Sequence, residues 1–205
     1  MYNILLDGLP TEYKGHKLRT SYKVGILITE LLEDDSIEED YKQYQAITLL
    51  YEDIPEDVKE ALDGLQWYLS LGKSEWHFIE NTKEAEVTNE KSLDFTQDQF
   101  TIVSGFRRLY DIDLLKEDIH YWLFMSLLSD MGENALQGSK MSYRCMSLKD
   151  LKGDMKKHYA EIKDSFKVRG MMSEEEYKEM IAEREKNIQQ SPFFQGEHTR
   201  KLLGI

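Results

Sequence analysis

The apolar positions of the chain fall mostly at helical spacing. Val24, Leu27, Ile28, Leu31 and Leu32 recur every three or four residues behind Thr20 and Ser21, which predicts a capped helix running to about Glu33. Ser36 with Glu39 makes a capping-box pattern for a second helix over about 37–51, with Tyr41, Tyr44, Ile47, Thr48 and Tyr51 as its apolar face. Pro55, followed by Glu56 and Asp57, suits the first turn of a third helix near 55–71, with Val58, Leu62, Leu65 and Leu69 in phase. Phe95, Ile102, Phe106, Leu109 and Tyr110 predict a helix that stops at Asp111-Ile-Asp113, and another follows over about 116–130. Gly132 and Gly138 bracket a short, poorly formed piece. Ser147 with Asp150 opens a helix over about 147–168, and Ser173 with Glu176 opens a strongly charged one to about 190.

Two stretches lack this period. The segments NILLD and KLRTSYKV alternate partially around Tyr13-Lys-Gly-His16, and Gly15 supplies turn chemistry, so a β-hairpin or two short strands are expected over residues 2–19. Residues 72–93 are polar and aperiodic, as in a loop or linker. The expected organisation is therefore mainly α: a helical bundle with a small N-terminal β-hairpin. Residues 1–71 hold the hairpin and first helices, 72–93 the polar linker, 94–170 the helical core region, and 171–205 a charged helix and tail.

Composition narrows the classes. The 205 residues are 32% charged with a formal net charge of −13, a surface that repels phosphate backbones and anionic membranes. No apolar run approaches the roughly 20 residues of a membrane span, and the opening MYNILLDGLP has no basic region of a signal peptide, so a soluble intracellular protein is expected. The single Cys145 excludes an internal disulfide framework and reads as a buried structural thiol.

Candidate chemistry is sparse. Glu117 and His120 have the Glu-x-x-His spacing of helical di-iron sites, but no second such pair exists. In IHYWLFMSLL, residues 119–128, the helix is apolar nearly all round. It reads as core, with His120 partly buried at its edge, the ring either snorkelling or bonded to a carbonyl, and Trp122 contributing ~2–3 kcal/mol on burial. The acidic run from Glu33 to Asp40 lacks EF-hand spacing, and Asp111-x-Asp113 reads as a helix stop. No P-loop, G-x-G-x-x-G, G-x-S-x-G or His-Glu-x-x-His motif is present. Neither catalysis nor a cofactor or metal is expected; the residues favour a binding or assembly protein.

DFTQDQFTIVSGFRRLYDIDL at 94–114 and IHYWLFMSLLSDMGENALQGSKMSYRCMSL at 119–148, with the NILLDGLP opening and the IPEDVKEAL…W segment, resemble the bacteriophage gene-product-fifteen family of siphovirus tail modules. The resemblance covers nearly all of 1–165. Asp94, Phe95, Asp98, Ile102, Phe106, Tyr110, Ile112, Asp113 and Leu114 match its first block. His120, Trp122, Phe124, Leu127, Gly138, Met141, Tyr143, Arg144, Met146 and Leu148 match its second. Tyr121 stands where Trp is frequent, Leu123 where a base is frequent, and Asp111 where Gly is usual. The resemblance implies a tail assembly chaperone that coats the tape measure protein in the host cytoplasm until the tube polymerises and that is absent from the virion. It also implies the major tail tube protein as a second partner and a homo-oligomer. A virion connector, or an accessory protein acting on a host target, is the competing class.

Two candidate partner surfaces follow. Phe193-Phe194 and Leu202-Leu203 are apolar residues in a polar tail, which either recruit a partner or fold back on the bundle. Tyr143-Arg144 places a cation beside an aromatic ring. Arg144 either pairs internally with Asp98 or Asp113 or binds a partner carboxylate.

Overall fold

The computed structural model describes residues 2–72 and 91–168, together with the helical positions Glu175, Lys178, Glu179, Ala182 and Lys186. The linker between 73 and 90 and the tail residues Phe193, Phe194, Leu202 and Leu203 lie outside the described residues. Among the described residues the chain is a helical bundle with one two-stranded antiparallel hairpin near its N-terminus: α1 (Ile4–Asp7), β1 (Glu12–Tyr13), β2 (His16–Lys17), α2 (Tyr22–Glu33), α3 (Glu39–Leu50), α4 (Val58–Leu69), α5 (Phe95–Tyr110), α6 (Tyr121–Asp130), α7 (Leu136–Cys145) and α8 (Gly153–Ser165), with a 3₁₀ turn at Gly132–Asn134.

The hairpin is shorter than expected. Tyr13 pairs with His16 and Glu12 with Lys17, across Lys14 and Gly15 at φ 48° and 90°, the left-handed pair that matches strand twist. NILLD is a helical turn instead of a strand. Asn3 accepts from the Leu5 N–H while the Asp7 carboxylate accepts from the Asn3 N–H, so the ends of the turn cap each other. The hairpin docks on the end of α3. Arg19 donates to the carbonyls of Thr48, Leu49 and Tyr51, which the last turn of α3 leaves without helical partners.

Ser21, Asp57 and Asp94 cap α2, α4 and α5 by accepting from backbone N–H groups two or three residues on. Asp111 ends α5 in the left-handed region, φ 56° and ψ 29°, the conformation that favours the glycine usual there in the resembled family. Other boundaries moved. Ser36 bonds Asp34 and not the start of α3. Tyr121 begins α6 because Asp113 and Glu117 close a separate turn before it. Gly153 begins α8, with no side-chain cap from Ser147. The segment after Gly132 forms the full helix α7, absent from the sequence reading. There Gly138 lies against the 3₁₀ turn so closely that a Cβ would stand 1.7 Å from the Gly132 carbonyl oxygen.

The core is aromatic. Phe124 stacks between Phe106 and Tyr22, each ring at 5.0 Å, and Tyr68 stacks on Tyr121. Trp122 is buried and donates from Nε1 to the Tyr68 carbonyl at 2.8 Å. Two helix faces differ from expectation. On α3, Ile47 is buried as expected, but Tyr41 and Tyr44 are 56% and 62% exposed, and Ala46 and Leu50 are buried in their place. On α2, Leu27 is exposed and Tyr22, Gly25 and Ile28 face inward, because Tyr121 occupies the space where a Cβ of Gly25 would be. Short residues sit where helices approach closely, and the large rings of α3 are left outside.

Candidate interaction surface

Arg144 lies on α7 and reaches into the fold. It is 2% exposed and pairs with the fully buried Asp98 of α5, Nη1 and Nη2 donating to the two carboxylate oxygens at 2.6 and 3.1 Å. The remaining donors close two further joints: Nε bonds the Phe166 carbonyl after α8, and Nη1 the Ser92 carbonyl before α5. Gln137 Nε2 and Lys140 Nζ add to the same carboxylate, both at 3.2 Å. Burial by itself raises the Asp98 carboxyl, but the Arg144 hydrogen bonds and charge outweigh it and hold the group below the ordinary carboxylate range. Of the alternatives left open for Arg144, the internal pair with Asp98 is the one formed. Asp113 pairs with Arg107 and Lys116 instead. Tyr143 is half-buried, with its ring against those of Phe166 and Tyr159.

His120 is the N-cap of α6. Nδ1 accepts from the Trp122 N–H at 3.0 Å, which places the proton on Nε2 for donation to the Pro10 carbonyl at 2.8 Å. Both ring nitrogens are thereby used, and desolvation lowers the pKa in spite of the Pro10 bond. Among the described residues no group of His, Cys, Asp and Glu side chains is placed to hold a metal ion. No described helix is long and apolar enough to cross a membrane. Cys145 is exposed, contrary to the buried thiol expected; it is the last residue of α7, where the helix ends.

Among the described residues the most exposed apolar side chains lie on α1. Leu5 and Leu6 are 89% and 83% exposed, with Ile4 and Leu9 beside them. The turn is nonetheless held on both sides. Tyr2 meets the rings of Trp67 and Trp122 edge-on, each at 5.7 Å, and its hydroxyl donates to the Gly8 carbonyl at 2.8 Å. Beyond Gly8, Pro10 is buried and tied to His120. The leucines between these anchors are presented to solvent from a fixed position. Tyr41 and Tyr44 of α3, Phe100 of α5 and Met155 of α8 are further exposed apolar side chains. The sequence signal for α1 was the Asn3…Asp7 spacing that closes a turn. Tyr41 and Tyr44 gave none, since exposure depends on which side of α3 meets α2 and α4.

A protein-family model described as Bacteriophage Gp15 protein matches residues 5–168. No curated protein and no solved structure matches the chain.

Proposed function

From the premise that the chain belongs to the bacteriophage Gp15 protein family, we propose that it is a phage tail assembly chaperone that acts without catalysis. In this reading it binds the tape measure protein in the host cytoplasm, keeps it soluble until tail tube subunits displace it, and is absent from the finished virion. The observation on the protein's own side that supports this is α1, an apolar turn anchored by Tyr2 and Pro10 with Leu5 and Leu6 almost fully in solvent. A soluble chain gains nothing in its own fold from two exposed leucines fixed in place, whereas a partner with apolar helical stripes gains their burial. Two such side chains contribute about 3–6 kcal/mol when fully covered, an upper limit for one contact. Tight coating of a long partner then comes from many copies, and each copy remains easy to displace. The net charge of −13 keeps such a complex soluble.

The test is co-expression with the tape measure protein of the same tail module, followed by affinity purification and light scattering. The expected result is a soluble complex with many copies per tape measure, where the tape measure alone precipitates. The Leu5→Ser/Leu6→Ser variant should fold with an unchanged melting temperature and fail to solubilise it. A wild-type chain that leaves the tape measure insoluble would refute the reading.

A further inference from the structure

Charge is distributed unevenly over the chain. Residues 140–169 carry nine lysines and arginines against four acids, in a chain of net charge −13. Lys140 and Arg144 of this stretch are committed to Asp98. Lys152 and Lys156 are exposed at the start of α8, with Met155 between them 59% exposed. By helical spacing these residues continue the stripe of Tyr159 and Ile162. Tyr159 packs against Tyr143, and α7 is the helix on which α8 rests. The second half of the stripe is thus half-buried against α7, and the first half overhangs with an apolar centre and basic flanks.

The complementary chemistry is displayed on α3. Tyr41 and Tyr44 are exposed one turn apart, and Glu38 and Asp40 flank them, also exposed. Since both faces are exposed, neither covers the other within one chain. We propose that the overhanging end of α8 docks on the acidic, tyrosine-bearing face of α3 in a second copy of this chain. Lys152 and Lys156 meet Glu38 and Asp40, and Met155 with the lysine stems lies over the tyrosine rings, where thioether–aromatic and cation–π contacts add to the ion pairs. The two faces are different, so the contact is head-to-tail and propagates into a ring or an open array. This deepens the coating role proposed above by naming how neighbouring copies meet. It is tested on the chain alone, so that failure of self-association and failure to bind a tape measure are read separately.

The experiment is light scattering coupled to size exclusion, at about 50 mM and about 500 mM salt, since exposed pairs are screened within roughly 10 Å at 0.1 M. The wild-type chain is expected to form species larger than a monomer at low salt and to shift towards monomer at high salt. Lys152→Glu/Lys156→Glu should be monomeric at both, and it places acids in the first turn of α8, where the helix dipole favours them. Glu38→Lys/Asp40→Lys should also be monomeric, with a circular dichroism melt to show that it folds. Tyr41→Ser/Tyr44→Ser serves the same purpose if it does not. Mixing the two reversed variants should restore association, because every acidic face then meets a basic one. A wild-type monomer at low salt, a reversed variant that keeps the wild-type mass, or a mixture that stays monomeric would overturn the proposal.

Discussion

Replacing Arg144 with methionine tests the buried clamp directly. The substitution keeps much of the side-chain volume but removes both hydrogen bonds to Asp98 and those to Ser92 and Phe166. Asp98 stays fully buried with Gln137, Lys140 and its own Asp94 N–H contact, each at 3.2 Å. Removing one partner of a buried pair costs about 3–5 kcal/mol, and the contacts left on Asp98 place this case near 3. Against a total stability of about 5–15 kcal/mol that is a large fraction. For a chain of this size it corresponds to a fall of roughly 6–12 °C in melting temperature. Urea unfolding at pH 7 measures it, with Asp98→Asn and the Asp98→Asn/Arg144→Met double variant closing the cycle. The double variant should lose less than the sum of the singles, since no uncompensated charge remains. The pH dependence has opposite signs in the two proteins. In the wild type the lowered Asp98 pKa contributes stability present above the ordinary carboxylate value and lost as pH falls through the lowered one. In Arg144→Met protonation relieves the stranded carboxylate, so the deficit should shrink between pH 7 and pH 5. A loss below about 1 kcal/mol, or additive singles, would refute the clamp.

Three further outcomes are expected. The Tyr68 hydroxyl is buried without a hydrogen-bond partner among the described residues, and burial pushes its pKa up, so Tyr68→Phe should leave stability unchanged or raise it by about 1 kcal/mol in a urea titration. Gly138→Ala puts a methyl 1.7 Å from backbone oxygen, which must displace the 3₁₀ turn at Gly132–Asn134, and calorimetry should show a loss of about 2–4 kcal/mol. His120 has a lowered pKa in the fold, so the stability it contributes is present above its ordinary value near 6.5 and is lost as pH falls below it. Denaturation midpoints should drop between pH 7.5 and 5.5, and less so in His120→Asn, whose amide still caps α6.

Much of the one-dimensional organisation was legible. The cap at Ser21 and the stop at Asp111 are local events between side chains and backbone a few residues apart, so local spacing reveals them. The caps at Asp57 and Asp94 were not expected: Pro55 was expected in the first turn of α4, which begins at Val58 behind Asp57, and no cap was expected before Phe95. The aromatic block at 119–128 had to be core, because a helix apolar on all sides has nowhere else to go, and Trp122 and Phe124 are buried in it. Among the candidate partner residues, the sequence named Arg144 and left its partner open.

What the tertiary structure decided were the choices that depend on which helix lies beside which. Asp98 and Arg144 are 46 residues apart and meet only because α5 and α7 pack together. Tyr41 and Tyr44 share a helical stripe with Ile47, yet the neighbours of α3 seat Ala46 and Leu50 inside and leave both rings in solvent. Helix α7 was illegible because Gly138, Ser139 and Ser142 are weak helix formers in a ten-residue helix, and Gly138 is required for contact with a turn that sequence alone does not reveal. Propensity and capping act over one or two turns and are written in the residue order. Burial is a property of a pair of surfaces, and the pair exists only in the folded chain.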